Sequence, residues 1–193
     1  QSSWVRYDRP QAVFVAHTHD EEPRRLDHLE TEVERRGLHA AGFLAYEAAP
    51  AFEKAFQVHP LHGRPFPLLW FGIYNPPERL PRQALPVGPT HLPDGWLADI
   101  AEPAYRRSIR KIKSYIAHGE TYQVNFTYRL RAACPESAWG VFASLSGDFP
   151  PPFARYLQTD GWANGSLSPE QFFSLHGDQI TSRPMKRTAP RGL

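Results

Sequence analysis

Cysteine is nearly absent from this sequence, and its scarcity excludes two classes of protein. The 193 residues include a single cysteine, Cys134, so neither an internal disulfide framework nor a multi-cysteine metal site is possible. We interpret this one thiol as inert. A chain without structural disulfides fits a reducing compartment most simply, and we expect a cytoplasmic protein.

Long apolar runs and an excess of one charge are also missing. No stretch of 18 apolar residues and no secretory leader can be found, so neither a membrane span nor export is predicted. Lysine and arginine number 22 against 20 aspartate and glutamate, which leaves a net charge of only +2. Such a balance does not favour nucleic-acid binding. The basic face of residues 102–119 is interpreted as the solvated side of an amphipathic helix rather than a nucleic-acid surface.

What the sequence does contain indicates a globular protein with many stiff connections. Hydrophobic residues make up 41% of the chain and aromatic residues 13%, which is enough to build a real core. The 20 prolines are about twice the usual ~5% share. Because proline fixes the backbone and lacks an amide hydrogen, many loops should be extended and surface-exposed.

The periodicity of apolar residues predicts an alternation of strands and helices. Strands are predicted at 12–16, 38–47 (largely buried), 68–74, 122–130, 153–157, 162–168 and 171–175, the last followed by an H-G-D turn into Q-I-T-S-R. Helices are predicted at 20–36, 102–119 and 136–146. The proline-rich stretch 76–95 is predicted to be a surface connection and the best domain boundary. The fold class expected is α+β, or mixed α/β, with antiparallel-rich sheets flanked by helices.

Histidine pairs raise the possibility of a metal site. His17 and His19 share one face of a strand if residues 12–19 are extended, a spacing that two metal ligands can use. No third ligand stands at a recognisable spacing. Ordinary surface or core histidines are therefore the stronger interpretation, and no metal ligand is assigned.

Two charged residues near the carboxyl end carry candidate chemistry. Glu170 lies between Ser-Pro and two phenylalanines, and we expect it at the wall of an apolar cavity, where desolvation would raise its pKa and preserve a proton donor. Lys186 follows a strand at a proline-fixed bend. Roughly one lysine in 2500 is neutral at pH 7, so a nucleophilic Lys186 needs its pKa lowered by about 3 units, for which neighbouring arginines are candidates.

Four blocks of the sequence together resemble the chorismate-utilising enzymes. They are G-F-L-A-Y-E-A-A-P (42–50) with P-L-L-W-F-G-I-Y (67–74), G-E-T-Y-Q-V-N-F-T (119–127), S-L-S-P-E-Q-F (166–172) and T-S-R-P-M-K-R-T-A-P-R-G (181–192). The resemblance is closest to the component I subunits of aminodeoxychorismate synthases, because Lys186 stands where anthranilate-forming relatives carry alanine. Arg187 departs from the glycine usual at that position.

The resemblance implies a division of the chain and a set of roles. Residues 1–95 would form the amino-terminal region of the fold, and 96–193 the start of a truncated catalytic region. Lys186 would be the covalent nucleophile and Glu170 the general acid, while Arg183 and Thr188 would contact chorismate. The reaction implied converts chorismate and ammonia into 4-amino-4-deoxychorismate for folate synthesis.

The resemblance also implies a cofactor and a partner. Magnesium would hold a substrate carboxylate, with ligands from a segment outside this chain, and a glutamine amidotransferase subunit would deliver ammonia. Two alternatives stay open: a non-enzymatic fragment that binds a glutaminase or a small ligand, and an anthranilate or isochorismate synthase-type enzyme. The 193-residue chain by itself is expected to be inactive.

Overall fold

A computed structural model describes residues 3–60, 66–81, 93–134, 137–147 and 150–184. It contains the strands β1 Ser3–Arg6, β2 Ala12–Ala16, β3 His39–Leu44, β4 Leu69–Tyr74, β5 Glu78–Pro81, β6 Leu97–Ala98, β7 Leu130–Arg131, β8 Phe153–Gln158, β9 Ala163–Ser168, β10 Gln171–His176 and β11 Gln179–Arg183. The helices are α1 Glu22–Arg36, α2 Glu102–Ala117 and α3 Ala138–Ser146, and a 3-10 helix spans Tyr46–Ala51. Helices and antiparallel sheets are thus mixed, as the sequence predicts.

The chain divides into two compact units. Unit 1 consists of Gln1–Pro86 and Leu157–Asn164, and unit 2 consists of Val87–Tyr156 and Gly165–Leu193. Unit 1 is therefore built from two stretches that are far apart in the sequence. The second stretch is the tip of the hairpin that β8 and β9 form.

Unit 1 is organised around β4, the middle strand of an antiparallel sheet with the order β2-β4-β3. Alternate residues of a strand point to opposite faces, so Leu69 and Ile73 point to one side and Trp70 to the other. Leu69 and Ile73 are completely buried, and Trp70 is also buried. Burial on both faces explains why the sequence of β4 reads as one continuous apolar run.

Helix α1 covers one face of this sheet. Leu26, Leu29 and Val33 pack against the buried cluster that contains Leu69 and Ile73, as their helical spacing predicts. The helix ends where predicted, because Gly37 adopts the left-handed conformation with φ of 60°. The backbone N–H of the following residue donates to a carbonyl one turn back, at 3.1 Å, which completes the usual carboxy-terminal cap.

Aromatic rings cover the other face of the sheet. Trp162, at the tip of the β8–β9 hairpin, lies 4.8 Å from Phe66, 5.6 Å from Phe43 and 6.0 Å from Trp70, measured between ring centroids. The hairpin turn is held by the backbone N–H of Thr159, which donates to the Trp162 carbonyl at 2.9 Å. Unit 1 therefore has a helix on one side of its sheet and an aromatic cluster on the other.

Two sequence-based predictions in unit 1 need correction. The predicted strand 38–47 ends at Leu44, and Tyr46 and Glu47 begin the 3-10 helix, which contains Pro50 and ends at Ala51. This strand is half-exposed rather than largely buried, because it lies at the edge of the sheet. The proline-rich stretch 76–95, predicted as a pure connection, contains β5, which pairs antiparallel with β1.

Unit 2 contains the amphipathic helix α2, which begins with Pro103 in its first turn and ends before Gly119, where φ is 75°. Tyr105 on its apolar face lies 5.7 Å from Phe126 and 5.8 Å from Tyr128. The strand predicted at 122–130 is wrong except at its end, where Leu130 and Arg131 form β7 and pair with β6. Residues 122–129 form no ladder within the described chain, so the alternation of their side chains has no neighbouring strand to fix it.

The buried residues of unit 2 include a small cluster around α3. Ser137 caps the helix, as its hydroxyl oxygen accepts a hydrogen bond from the N–H of Gly140 at 3.0 Å. Phe142 is buried between Trp139 and Tyr156, with ring centroids 5.7 Å and 5.2 Å away. Partial burial in this cluster raises the pKa of the Tyr156 hydroxyl. None of the three α-helices in the described chain is long and apolar enough to cross a membrane.

Candidate active site

The hairpin formed by β10 and β11 carries the described part of the candidate site. Its turn consists of Gly177 and Asp178, and Gly177 has the positive φ, 56°, that a type II′ turn requires at its first central position. His176 pairs with Gln179 across the turn. The hairpin and its tight turn confirm the prediction made from the H-G-D sequence.

The far end of the hairpin brings two candidate residues into the same region. Gln171 pairs with Arg183, and opposed residues of an antiparallel ladder have Cα atoms roughly 4.5–5.5 Å apart. Glu170 directly precedes Gln171, so it lies at the same end of the hairpin as Arg183. The predicted strand-turn-strand arrangement is therefore present as far as Pro184.

A β-bulge interrupts this ladder between Gln171 and Ser174. One additional residue on β10 is accommodated there, and the hydroxyl of Ser182 donates to the carbonyl oxygen of Phe172 at 2.8 Å. A bulge twists a strand and redirects its side chains. It consequently changes the side-chain direction at Phe172 and Phe173, immediately beside Glu170.

A small turn fixes the backbone at Glu170. The Ser168 hydroxyl accepts the Glu170 N–H at 3.2 Å and lies 3.0 Å from the Glu170 carbonyl oxygen, to which it donates. This pair of contacts is a local serine turn of the kind that Ser-Pro sequences favour. It holds the first residue of the hairpin in a defined orientation.

The expected burial of Glu170 is wrong for the described chain. Glu170 is exposed, and the nearby Phe172 is 87% exposed. These two side chains therefore do not form the wall of a closed cavity in the described chain. The expectation failed because an apolar flank in the sequence shows what a residue stands next to along the chain. It does not show which other element covers it.

The remaining site residues fall partly outside the described chain. Arg183 ends β11 and is exposed. Lys186, Arg187 and Thr188 lie outside the described residues, so the predicted approach of Lys186 to Glu170 and the roles of Thr188 and Arg183 stay predictions. Within the described chain, the register of the β10–β11 hairpin places Glu170 and Arg183 at the same end.

A separate groove follows α2 in unit 2. It has a volume of about 340 Å³ and is lined by Glu102, Tyr105, Arg106, Ile109 and Arg110. All five residues come from one helix, and Arg106 is already paired with Glu102 at 2.7 Å. The groove is the flank of an amphipathic helix, and it contains none of the candidate catalytic residues.

The histidines near the start of α1 have structural contacts. His19 donates from Nε2 to the carbonyl oxygen of Glu47 at 2.8 Å, whereas His17 is exposed. Within the ranges that the structure describes, no three His, Cys, Asp or Glu side chains are grouped as metal ligands.

One unusual residue was not identified from the sequence. Glu22, the first residue of α1, is completely buried, and neither carboxylate oxygen has a hydrogen-bond partner in the described chain. The sequence E-E-P-R predicts only acidic residues that favour a helix start. Nothing in it distinguishes the buried glutamate from its exposed neighbour.

Comparison with known proteins connects the second part of the chain to one family. Residues 78–193 match the family described as chorismate binding enzyme. Aminodeoxychorismate synthase component 1 of Klebsiella aerogenes is 35% identical over 125 residues, which is 63% of this chain and 28% of that protein. The protein of the same name from Escherichia coli is 32% identical over 100 residues, 52% of this chain and 22% of that protein.

Anthranilate synthases are similar as well. Anthranilate synthase component 1 3 of Haloarcula marismortui is 32% identical over 95 residues, which is 49% of this chain and 19% of that protein. The matched part of the chain therefore spans between 19% and 28% of the length of these curated relatives.

Proposed function

The chain belongs to the family of chorismate binding enzymes, and we propose that it is the amino-terminal part of an aminodeoxychorismate synthase of the component 1 type. Residues 1–95 would be the amino-terminal region, and residues 96–193 the beginning of the catalytic region. Support comes from the relatives of that name and from Lys186, which stands in the R-P-M-K sequence.

The proposed reaction divides one substitution into two steps. The neutral amine of Lys186 adds to C2 of the chorismate ring, the ring double bond shifts, and the C4 hydroxyl leaves as water after receiving a proton. Ammonia then adds at C4, the double bond shifts back, and the lysine amine departs. Chorismate and ammonia thereby give 4-amino-4-deoxychorismate and water, and nucleophilic catalysis of this kind replaces one difficult step by two easier ones.

The register of the β10–β11 hairpin is the observation that carries the assignment of residues. Gln171 is opposite Arg183, so Glu170 and the segment that follows Arg183 leave the hairpin at the same end. We assign Glu170 as the acid that protonates the leaving hydroxyl. Arg183 and Thr188 are assigned to the chorismate carboxylates and hydroxyl, since guanidinium groups bind carboxylates through two parallel hydrogen bonds.

Because Glu170 is exposed in the described chain, we propose that another segment covers it during the reaction. A general acid works best when its pKa is close to the working pH, and a carboxyl reaches that range through burial. The segment that would supply this cover is proposed to be the remainder of the catalytic region. The same segment would contribute the other substrate contacts.

Magnesium and an amidotransferase complete the proposal. No group of metal-ligating side chains occurs in the described ranges, so we assign no magnesium ligand and no catalytic step to the ion. If bound, magnesium would neutralise a substrate carboxylate. The component 1 name of the relatives supports a second component, proposed to be a glutamine amidotransferase that delivers ammonia.

Anthranilate formation is the second candidate, because anthranilate synthases are among the similar proteins. The two reactions give different products from the same substrate. Anthranilate formation also releases pyruvate, whereas aminodeoxychorismate formation retains the enolpyruvyl group. Chromatography of the products after incubation with chorismate and an ammonium salt separates the two candidates.

Replacing the proposed nucleophile provides the main test. Intact mass first establishes whether the natural polypeptide has the 22.0 kDa of this chain or is longer. In the active polypeptide, Lys186→Ala should abolish both an adduct with the mass of chorismate less one water and the formation of product. Lys54→Ala, at an exposed lysine of unit 1, is the matched control and should retain the adduct and the activity.

Each result bears on a separate part of the proposal. Undiminished product from Lys186→Ala would contradict the nucleophile assignment. Aminodeoxychorismate made by the 22.0 kDa chain alone, with chorismate, ammonia and magnesium, would contradict the proposal that a further catalytic segment is required. Anthranilate as the product would replace the first candidate by the second.

A further inference from the structure

Two consecutive glutamates at the start of α1 have opposite environments. Glu21 is exposed, and its Oε2 accepts the backbone N–H groups of His17 and Thr18 at 2.8 and 3.1 Å. Glu22 is completely buried, and both its oxygens lack a hydrogen-bond partner in the described chain. Glu21 thus supplies the polar contact at this helix start, and Glu22 occupies the interior.

The interior around the helix start offers little compensation for a charge. Strands β2, β3 and β4 and the 3-10 helix pack against α1, and the completely buried residues of this unit include Ala16, Leu69 and Ile73. The titratable groups on those elements are His39 on β3, Tyr74 on β4, and Tyr46 and Glu47 on the 3-10 helix, while β2 has none. An ionised carboxylate in such a place is costly unless it is paired.

One charged neighbour acts on Glu22 from the loop that precedes the helix. The positive form of His19 favours ionisation of Glu22, yet burial is the larger effect, and together they raise the pKa of Glu22 to about 7. The Nε2 of His19 is engaged with the carbonyl oxygen of Glu47. His19 therefore connects the loop before α1 with the 3-10 helix, directly beside the buried acid.

We propose that Glu22 is a proton-controlled latch on the first turn of α1. In its protonated form the side chain stays inside unit 1 and keeps this turn packed against the sheet. On ionisation the side chain moves to water, and the first turn of α1 opens together with the loop that contains His19. The latch is independent of the reaction proposed above, because no candidate catalytic residue belongs to it.

The pH range of the latch follows from the difference between the folded and unfolded chains. A carboxyl whose pKa is raised by folding binds its proton more tightly in the folded state, so the folded state loses stability as pH rises. The loss begins near the ordinary value of 4.5 and is complete above about 7. Across this range the folding equilibrium should fall by up to about 300-fold, since each unit of pKa difference is a factor of ten.

The test compares wild-type chain with Glu22→Gln, which has nearly the same shape and cannot ionise. Urea unfolding between pH 4.5 and 8 should show the fall of the folding equilibrium in wild-type chain. In the variant most of this fall should be absent. Hydrogen exchange at the amides of residues 22–26 should be faster in wild-type chain than in Glu22→Gln at pH 8. The two proteins should behave alike near pH 4.5.

Glu21→Gln is the matched control. Hydrogen bonds from the backbone of His17 and Thr18 lower the pKa of the Glu21 carboxyl, which is the opposite direction to the change at Glu22. Its replacement should leave the pH dependence between pH 5 and 8 as in wild-type chain. A similar change of slope in both variants would contradict the latch and indicate a general effect of charge at the helix start.

A direct titration makes the proposal testable even if Glu22→Gln folds poorly. Carbon-13 NMR of the side-chain carboxyl in wild-type chain should give Glu22 a midpoint close to 7. A midpoint in the ordinary range, or a Glu22→Gln variant that changes stability equally at every pH, would overturn the latch. The second result would mean that Glu22 only fills space.

Discussion

The sheet of unit 1 and the hairpin of unit 2 use similar residues in opposite ways. Leu69 and Ile73 on β4 are completely buried, whereas Leu175 and Ile180, which face each other across the β10–β11 hairpin, are 60% and 68% exposed. β4 has a helix on one face and an aromatic cluster on the other. The hairpin has no such layer among the described residues.

This difference separates the stable part of the molecule from its candidate chemistry. Burial of apolar side chains contributes most of the folding free energy, and in unit 1 that burial is provided by α1 and the aromatic residues around Trp162. The candidate site residues Glu170 and Arg183 lie at one end of the hairpin, and both are exposed. Exposed apolar side chains of this kind are typical of surfaces that take part in interactions.

The largest expected effect is a cavity in the sheet of unit 1. Leu69→Ala should reduce the free energy of unfolding by about 2–5 kcal/mol, because a completely buried leucine loses its packing and leaves a void. Leu175→Ala removes the same atoms from an exposed position and should cost about 0.5 kcal/mol or less. Urea unfolding followed by circular dichroism measures both, and equal losses would refute the contrast between the two regions.

An intermediate effect is expected where two strands of the sheet approach closely. A Cβ on Gly42 would clash with the carbonyl oxygen of Trp70 and lie 2.6 Å from the Cα of Phe71, so Gly42→Ala should cost about 1–3 kcal/mol through overpacking. Gly161→Ala, where nothing lies within 4 Å, is the control and should be nearly neutral. Urea unfolding followed by circular dichroism measures both variants. An unchanged free energy of unfolding in Gly42→Ala would show that β3 can separate from β4.

The smallest effect is expected in the hairpin. Ser182→Ala removes the hydrogen bond to the carbonyl of Phe172 at the bulge and should change the free energy of unfolding by about 0.5 kcal/mol, since the site is exposed. Ser182→Thr keeps the hydroxyl and should match wild-type chain. NMR chemical shifts of Phe172 and Phe173 should report a changed bulge in the alanine variant alone, and unchanged shifts there would show that the hydroxyl does not hold the bulge.

Much of unit 1 could be predicted from its sequence because the pattern and the packing agree. Leu26, Leu29 and Val33 recur at helical spacing, and the glycine after the helix takes the left-handed conformation that ends it. β4 was recognisable because burial on both faces gives an uninterrupted apolar run. In these elements the local preference and the tertiary environment require the same residues.

Other features depend on which elements of the chain pack or pair with them, and the local sequence does not specify this. Tyr122, Val124 and Phe126 alternate as a strand would, yet Tyr122 is 88% exposed and the segment pairs with no strand in the described chain. β5 was missed because its neighbouring prolines indicate a loop, while an edge strand tolerates them. Glu22 and its neighbour are equivalent in sequence and differ only in which side of the helix meets the sheet.

The candidate site shows the same limit. The S-P-E-Q-F sequence identified the turn at Glu170 and the following strand, and the hairpin register brings Arg183 to the same end. The exposure of Glu170 could not be predicted, because burial depends on residues distant along the chain. Lys186 and Thr188 are assigned from the sequence resemblance alone.

The position of Trp162 has a consequence for the order of events during synthesis. Its indole covers the face of β4 that contains Trp70, yet it lies 92 residues later in the chain. At a translation rate of about 5–20 residues per second, the sheet emerges from the ribosome roughly 5–20 s before its aromatic cover exists. During that interval the nascent sheet exposes Phe43, Phe66 and Trp70, and apolar surface exposed before folding is complete is prone to aggregation.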